Sequence, residues 1–346
     1  MKKTLSLSLI FLLLIFSAAG HAQIGGKSTY KFLSLPSSPR IVSMGGDFLS
    51  IKDADINLAL SNPSLIVPEL NNQLTLNFVD YFSDINYGFI SYGRSFEKIG
   101  NFVGSVQYID YGRFTYANDA GETAGNFKAG ETALIIGWGR QLDSTFSIGA
   151  NFKTIFSAFE SYNSFGLAVD VAGTYQNEHG FAASLLVRNI GTQIITYDNG
   201  SREPLPFDLQ IGMSKKLKHV PFRYSILLTN LHKWDLTYDD PTKLKTDPFT
   251  GEKIKEDKFM DFLDKTFRHV IVGVEFIPTR NFSIRLGYDY RQRQELKVDS
   301  KLSTVGLSWG FGFRISKFQF NYARKAYHLA GSPNFISIST NLSDFL

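Results

Sequence analysis

The stretch Val305–Ile315, VGLSWGFGFRI, decides the fold class of this chain. Its apolar side chains stand at every second position, and glycine, serine or arginine fills the positions between them. Because successive side chains of a β-strand point to opposite faces, the stretch predicts a strand with one apolar and one small or polar face. Phe282–Arg291 and Phe207–Ser214 repeat the pattern. The sequence therefore predicts an all-β chain.

Runs of this kind follow one another from Leu74 to the end of the chain and predict about fourteen strands. The expected strands are 73–80, 86–95, 101–111, 127–140, 145–157, 164–176, 180–190, 206–215, 221–230, 267–277, 281–291, 302–315, 317–325 and 335–343. Many are longer than the five or six residues typical of soluble strands, and match the nine to eleven that cross a membrane.

The links between these strands differ in length according to their order. Counted from the first strand, the even-numbered links are short, and several odd-numbered links are long: 112–126, 191–205, 231–266 and 292–301. Outer-membrane barrels have this pattern, with short periplasmic turns, longer extracellular loops and an even strand count. A soluble β-sandwich, the alternative, has no reason to sort its loops in this way. We therefore expect a transmembrane antiparallel outer-membrane β-barrel over 73–346, with both termini periplasmic.

Composition excludes several classes of function. The 346 residues contain 36 Lys and Arg against 32 Asp and Glu, a balance that argues against nucleic-acid binding. No cysteine is present, so disulfides, Cys-based zinc sites and thiol nucleophiles are excluded. Outer-membrane lipid is the partner that the barrel itself implies.

The first 22 residues predict a secretory signal peptide. Lys2 and Lys3 precede the apolar run Leu9–Phe16, and the small residues Gly20 and Ala22 lie before a predicted cut at Gln23. An anchor helix is the alternative, but a membrane span needs about 20 apolar residues.

Residues 23–72 precede the alternating pattern and differ from it. They carry Gly45-Gly46, Asn62-Pro63 and a stretch at 53–60 that predicts one short helix. Their apolar content, with Ile41, Val42 and Phe48 among others, favours packing inside the barrel as a plug or hatch over a flexible periplasmic tail.

The polar face of the strands is then expected to point into the lumen. Charged residues on that face are Lys153, Asp170, Arg188, Glu275, Arg285, Asp289 and Arg314. Such groups could line a conduit, but ion pairs that fill a narrow barrel are the commoner explanation.

The sequence holds no convincing catalytic or metal motif. Ser28-Thr29-Tyr30-Lys31 fits Ser-x-x-Lys, but the companion elements of penicillin-interactive enzymes are missing. The histidines lack metal-ligand spacing. His328 near Ser332 is the one pairing that a membrane-embedded hydrolase could use. We therefore predict no enzyme, no cofactor and no metal.

Loop 231–266 is the most distinctive of the long loops. It carries Trp234, Asp235 and Tyr238 in its first half, and Phe259 and Phe262 at helical spacing in its second half. Two interpretations remain open: a docking surface for an extracellular partner, with these residues as contacts, or a cap packed over the barrel mouth.

Several stretches resemble the PorQ family, outer-membrane components of the Bacteroidota type IX secretion system. They are Lys27–Leu33, Asp84–Gly88, Arg202–Phe207, Lys233–Tyr238, Tyr327–Gly331 and Ile338–Phe345. Gly45-Gly46 and Asn62-Pro63-Ser64 are similar to the hatch region of the wider PorV and FadL-type group, where alanine is usual in place of Ser64.

The resemblance implies a fourteen-stranded barrel without catalysis that anchors a PorZ-like surface protein of the cargo attachment complex, which also contains PorU and PorV. Docking would use the extracellular loops, mainly 231–266. The alternative is a FadL-type channel for hydrophobic small molecules, since a fold does not settle a function. That alternative predicts an apolar route from the loops to a lateral opening, with a movable hatch.

Overall fold

The computed structural model describes residues 28–118, 120–198, 200–237, 257–297, 304–327 and 331–345. The expected signal peptide and Tyr238 lie outside these ranges. None of the helices in the described ranges is long and apolar enough to cross a membrane.

Fourteen antiparallel strands form one closed barrel, in which each strand pairs with its neighbours in sequence and β1 pairs with β14. The strands are β1 Gln73–Phe82, β2 Ile85–Phe96, β3 Gly100–Ala117, β4 Thr123–Gln141, β5 Phe146–Phe159, β6 Tyr162–Gln176, β7 Phe181–Ile195, β8 Asp208–Lys216, β9 Phe222–Leu228, β10 Val270–Thr279, β11 Phe282–Asp289, β12 Leu307–Ile315, β13 Phe318–Lys325 and β14 Asn334–Asn341. The predicted fold class and strand count are confirmed.

In the described ranges, four short helices accompany the strands: α1 Pro39–Val42, α2 Ile56–Ser61, α3 Lys258–Phe267 and α4 Tyr290–Leu296. Asp55 caps α2 by accepting a hydrogen bond from the Asn57 backbone N–H, and Asp257 caps α3 in the same way through Phe259. Single 3-10 turns lie at Lys31–Ser34, Pro63–Leu65, Pro68–Leu70 and Leu342–Phe345. The predicted helix at 53–60 is thus present, displaced by one to three residues, and the helical spacing of Phe259 and Phe262 corresponds to α3.

The strand ladder differs most from the prediction in three places. β3 and β4 continue past Gly112, whose positive φ accompanies a bulge, so most of the predicted loop 112–126 is strand. β7 likewise extends to Ile195 beyond a register shift, which shortens the predicted link 191–205. Conversely β12 begins only at Leu307, because the preceding chain turns at Gly306. Bulges interrupt the strict alternation of apolar and polar residues. The predicted strands therefore end at the bulges, whereas the observed strands continue beyond them.

The barrel is apolar outside and polar inside. Leu76, Phe78 and Ile136 are among the many large apolar side chains that remain exposed on its outer face, while Asn77, Gln107 and many serines are buried on the inner face. This inversion of a soluble protein is what a strand facing lipid on one side requires.

Residues 28–72 meet the inner face of the wall. Asn57 donates to Ser339 of β14 at 3.3 Å and accepts from Asn77 of β1 at 2.8 Å. Ser184 of β7 and Ser214 of β8 donate to backbone carbonyls of the segment, at 3.1 Å and 2.6 Å. The chain from residue 28 to residue 72 is called the N-terminal segment below.

Glycines of the wall make room for this contact. A Cβ added at any of the following glycines would overlap an atom of the N-terminal segment: Gly93, Gly137, Gly139, Gly149, Gly166, Gly212, Gly273, Gly287 and Gly310. The apolar side chains of the segment, such as Met44, Phe48 and Leu49, are fully buried and form a cluster with Leu227 and Ile271 of the wall. The close approach therefore depends on wall positions without a side chain.

The substitution Gly287→Val is expected to keep the N-terminal segment from seating. Its Cβ alone would stand 1.9 Å from the carbonyl carbon of Met44, and overpacking of this kind typically costs about 1–3 kcal/mol. Protease digestion of the folded barrel should then cut within residues 28–72. The control Gly104→Val adds its Cβ to open space on the outer face and should keep wild-type resistance. Equal resistance of the two variants would contradict the packing described here.

Candidate functional site

Two recesses lie at the long-loop end of β3 to β7, on opposite sides of the wall. The aromatic cleft opens at the mouth of the barrel and has a volume of about 380 Å³. Its lining comprises Ser28, Thr29, Tyr30, Lys31, Tyr111, Glu131, Phe159, Tyr162 and Tyr197. Five aromatic rings and one inward-facing carboxylate thus meet in one small volume.

Contacts from four parts of the chain hold the cleft in place. The Thr29 backbone N–H donates to the Pro204 carbonyl at 3.1 Å, which fastens the N-terminal segment to the β7–β8 loop. The ring of Phe159 lies 5.5 Å from that of Tyr111 and 5.8 Å from that of Tyr197. Aromatic pairs at such distances stabilise one another beyond their buried area.

Glu131 stands at the inner wall of the cleft. It points inward from β4, is 4% exposed, and accepts a hydrogen bond of 2.6 Å from the Tyr111 hydroxyl. No lysine or arginine forms an ion pair with it among the described residues. A carboxylate so placed gives the cleft a negative or hydrogen-bonding point within an aromatic surround.

The lateral groove lies on the outer, lipid-facing side of the wall and has a volume of about 440 Å³. Its lining comprises Gly130, Thr132, Phe156, Ser157, Ala158, Asn163, Ser164, Phe165 and Ile195. Gly130, which has no side chain, and Ala158, which has a small one, contribute to this lining among larger neighbours. The β6–β7 ladder also shifts register between Phe165 and Gly166, so the wall is irregular here.

A wall one residue thick separates the cleft from the groove. Ser164 lines the groove, and its hydroxyl lies 2.5 Å from the hydroxyl of Tyr30, which lines the cleft. Ser157 also lines the groove and accepts a hydrogen bond of 2.7 Å from Tyr197 of the cleft. Gly166 allows the Tyr30 ring to lie against the wall, since a Cβ there would stand 2.5 Å from the ring.

Ion pairs fasten the N-terminal segment to the opposite side of the lumen. The arginine cluster consists of Arg40, Asp53 and Asp55 of the segment with Arg223, Glu275 and Arg285 of β9 to β11. Arg40 lies 2.9 Å from Asp55 and 3.2 Å from Glu275. Arg223 bridges the two sides, at 2.8 Å from Asp53 and 2.7 Å from Glu275. Three cations and three carboxylates leave the cluster neutral.

Burial alone would raise the pKa of Asp53, but Arg40 and Arg223 outweigh it and hold the pKa well below its usual range. The carboxylate is therefore favoured in the folded state. Its contribution to stability is complete above the unfolded value of about 4 and is lost as the pH falls through the lower folded value. At neutral pH the cluster is fully formed.

The remaining charges predicted for the lumen are also paired, with one exception. Lys153 binds Asp170 at 2.7 Å, Arg188 binds Asp47 of the segment at 2.5 Å, and Asp289 meets a lysine of β13 at 3.3 Å. Arg314 was wrongly predicted to face the lumen. It is exposed at the short-turn end of β12, because this end of the strand extends beyond the buried interior of the barrel.

The residues predicted for the hatch lie in the packed lumen, away from the cleft. Gly45 adopts a left-handed φ of 104° beside Ile271, and Gly46 packs on the same side chain. Asn62 caps the turn that begins with Pro63 and donates to the Leu49 carbonyl at 2.6 Å. These residues shape the N-terminal segment, and none of them lines the cleft or the groove.

Four of the predicted partner-binding residues, Trp234, Asp235, Phe259 and Phe262, lie at the long-loop end, and the fifth, Tyr238, is outside the described residues. Trp234 is 55% exposed and its ring lies 5.7 Å from that of Phe262, while Phe259 is 66% exposed. Lys265 of α3 binds Asp235 at 3.1 Å. Burial favours a higher pKa for Asp235, but hydrogen bonds from Thr237 and the bond from Lys265 lower it to about 2.

Helix α3 contacts Tyr290 of α4, whose ring lies 5.8 Å from that of Phe267. Asp264 accepts a hydrogen bond of 2.8 Å from Tyr290, and no residue of the helix is buried. Its apolar residues, including Met260 and Phe267, are exposed. The aromatic surface of Trp234, Phe259 and Phe262 is therefore presented outward.

The residues of the aromatic cleft were missed by the sequence analysis. Tyr30, Tyr111, Glu131 and Tyr197 are far apart in the chain, and only the closed barrel brings them together. One signal was available: Glu131 occupies an inward position of the predicted strand 127–140, among alanines and glycines. Among the described residues, no group of three or more histidine, aspartate and glutamate side chains is arranged to hold a metal.

No protein-family model and no curated protein matches this chain significantly. Among solved structures, the toluene transporter TodX of Pseudomonas putida is similar, with a TM-score of 0.52 and 11% identity over 88% of this chain and 97% of that one. A deltaS2 mutant of TodX gives 0.55, with 11% identity over 90% and 100%. A Pseudomonas aeruginosa FadL homologue gives 0.45, with 12% identity over 88% and 98%. This chain shares the barrel fold of TodX.

The substitution Arg40→Gln is expected to loosen the N-terminal segment. It leaves the carboxylates of Asp55, Asp53 and Glu275 undercompensated, and breaking a buried ion pair typically costs about 3–5 kcal/mol. Ion conductance across planar bilayers containing the variant should exceed that of the wild type. The control Arg140→Gln removes an exposed arginine of β4 and should conduct like the wild type. An Arg40→Gln barrel as closed as the control would show that the cluster does not fasten the segment.

Proposed function

We propose that this protein is an outer-membrane channel of the FadL type for small hydrophobic molecules. A molecule enters the aromatic cleft from the long-loop end, which faces outward, and leaves through the lateral groove into the membrane. The observation that carries this proposal is the contact between Tyr30, which lines the cleft, and Ser164, which lines the groove, because these two side chains lie between the two recesses. The chain then ends at the periplasmic end, where the Leu342 N–H donates to the Asn72 carbonyl, whereas Ser28, the first described residue, lines the cleft at the opposite end, so the expected periplasmic position holds for the C-terminal end alone.

The chemistry of both recesses suits apolar cargo. Five aromatic rings line the cleft, and Phe156, Phe165 and Ile195 line the groove. Ligand sites of a few hundred cubic ångströms with mainly apolar linings and a few polar groups are typical of small-molecule binding. Transport of toluene by TodX, which shares the fold, is in line with this chemistry.

Passage requires a movement of the first residues of the N-terminal segment. Tyr30 has a left-handed backbone conformation with φ of 53°, which is uncommon for a residue with a side chain. Its ring fills the space over Gly166, and its hydroxyl closes on Ser164. Displacing the Tyr30 ring would uncover Ser164 and Gly166 on the inner face, and passage then requires the β6–β7 ladder to part at its register shift between Phe165 and Gly166. The segment thereby acts as a hatch, and the rest of it stays fastened by the arginine cluster.

An aqueous pore through the lumen fits the structure less well. Most side chains of the N-terminal segment are buried against the inner face of the wall, and the lumenal charges described above are mostly paired with one another. Such an interior offers neither a water-filled path nor a field that would attract ions. The lateral route is therefore the proposed one.

Blocking the groove is expected to stop uptake. Thr132→Trp places a large ring in the lateral groove, and we expect the rate of radiolabelled toluene uptake into cells that express the protein to fall about tenfold or more. The matched control Thr154→Trp alters a neighbouring outward position outside the groove and should transport like the wild type. The proposal fails if both variants transport equally, provided that both are folded and inserted.

A second candidate function rests on the aromatic surface of Trp234, Phe259 and Phe262. Exposed aromatic side chains at a rim often anchor protein partners, and here the ion pair of Lys265 with Asp235 orders the surface. The resemblance to the PorQ family assigns such a surface a PorZ-like partner, in company with PorU and PorV of the type IX secretion system. In this alternative the barrel serves as a membrane anchor with no catalytic role.

Affinity purification from outer membranes tests the anchoring role. The variant with Trp234→Ala, Phe259→Ala and Phe262→Ala should lose a PorZ-like protein that the wild type retains, because loss of central aromatic anchors typically costs 2 kcal/mol or more, roughly. A control with alanine at three exposed apolar positions of the outer wall, Leu76, Phe78 and Ile136, should retain it. If no secretion component accompanies the wild type, the anchoring role is excluded.

A further inference from the structure

We propose that the aromatic cleft binds an organic cation, a quaternary or protonated amine with an apolar body. This inference rests on the proposal that the cleft is a ligand site, and it names the class of ligand. It starts from a contrast between Glu131 and the other buried acidic groups of the barrel interior.

The other acidic groups that are deeply buried in the interior each have a cationic partner. Asp55 is paired with Arg40, Asp170 with Lys153, and Glu275 with three arginines. The pairing extends to Asp289, which meets Lys325. Removing a charge from water is costly unless an opposite charge compensates it, so this pairing is expected.

Glu131 departs from that pattern in the described part of the chain. Its side chain is as buried as theirs, yet it is held by two hydroxyl groups, that of Tyr111 at 2.6 Å and that of Ser157, and no lysine or arginine among the described residues forms an ion pair with it. It also differs in position, because it borders an open recess where the paired groups lie in packed interior. A missing positive charge can therefore be supplied from outside, by a ligand in the cleft.

The other walls of the cleft suit the same ligand. Rings of Tyr30, Tyr111, Phe159, Tyr162 and Tyr197 line the cleft. Aromatic faces carry negative charge density and attract a cation within about 6 Å of the ring centre, and cages of such rings recognise quaternary ammonium groups. Several rings with one carboxylate thus offer a cation two kinds of favourable contact and give an apolar body a surface to cover.

Lys31 also lines the cleft, and it allows a test of the alternative that the ligand is an anion. Its side chain is exposed at the opening, and it forms no ion pair with Glu131. An anionic ligand would depend on Lys31 and be repelled by Glu131. A cationic ligand would depend on Glu131 and gain from removal of Lys31.

The test measures binding to the full chain in lipid nanodiscs by calorimetry, with empty nanodiscs subtracted. The probes are benzyltrimethylammonium, its uncharged isostere neopentylbenzene, and the anion 3-phenylpropionate. We expect Glu131→Gln, which keeps an acceptor for Tyr111, to weaken binding of benzyltrimethylammonium about tenfold or more. Binding of neopentylbenzene should change by less than about twofold.

A matched control is available at the same end of the barrel. Glu160 accepts a hydrogen bond of 2.6 Å from Tyr116, as Glu131 does from Tyr111, but it is exposed and outside the cleft. Glu160→Gln should therefore bind all three probes like the wild type. Phe159→Leu, which removes one ring and leaves the charges unchanged, should weaken the binding of benzyltrimethylammonium more than the binding of neopentylbenzene.

The outcomes separate this inference from the proposed channel. If the wild type binds neopentylbenzene but not benzyltrimethylammonium, the inference is overturned and the channel stands. If it binds neither, both fail. Equal affinity of the wild type and Glu131→Gln for the cation also overturns the inference, as does binding of 3-phenylpropionate that Lys31→Gln abolishes.

Discussion

The contact between the N-terminal segment and the glycines of the barrel wall is the constraint on which the rest of the structure depends. A barrel of fourteen strands encloses more space than its own inward side chains fill, and here that space holds a buried apolar cluster around Met44 and Phe48. Gly149 and Gly287 admit the backbone of the segment itself, at distances that no side chain would permit. The shape of the cleft depends on the same packing, because it places the Tyr30 ring against Gly166.

Charge is distributed in the interior by the same logic. Where the segment and the wall are packed without a gap, cations and carboxylates meet in neutral groups, as around Glu275. Such ion pairs fix the position of the N-terminal segment on the wall, which non-directional apolar packing alone would not specify. Glu131 lies where the packing opens, and it is there that the pairing stops. Fit and charge therefore identify the same part of the molecule as the place for a ligand.

Much of the fold could be predicted from the sequence, because a strand in a membrane barrel faces lipid on one side and the lumen on the other, so apolar and polar residues alternate along it. All fourteen strands were predicted in order, and the inward positions of Lys153, Asp170 and Glu275 were confirmed. Errors arose where alternation is broken by a bulge, as after Gly112, or where a strand outruns the buried interior, as at Arg314.

The cleft could not be predicted in the same way. Its residues range from Ser28 to Tyr197, and their meeting depends on the register of five strands and on the path of a segment without periodicity. Local patterns report which face a side chain occupies, and say little about which distant side chain lies opposite. The exposed aromatic surface of α3 was easier to predict, since one helical turn brings Phe259 and Phe262 together.

The position of Asn57 has a consequence for how the barrel is made. Its side chain bonds to Thr75 and Asn77 on the first strand and to Ser339 on the last. The seam where the ring shuts is therefore spanned by a residue that leaves the ribosome before either strand. Joining the ends of so long a chain is entropically slow, and a preplaced template shortens the search. The N-terminal segment is thus placed to guide the pairing of the first strand with the last as the barrel assembles.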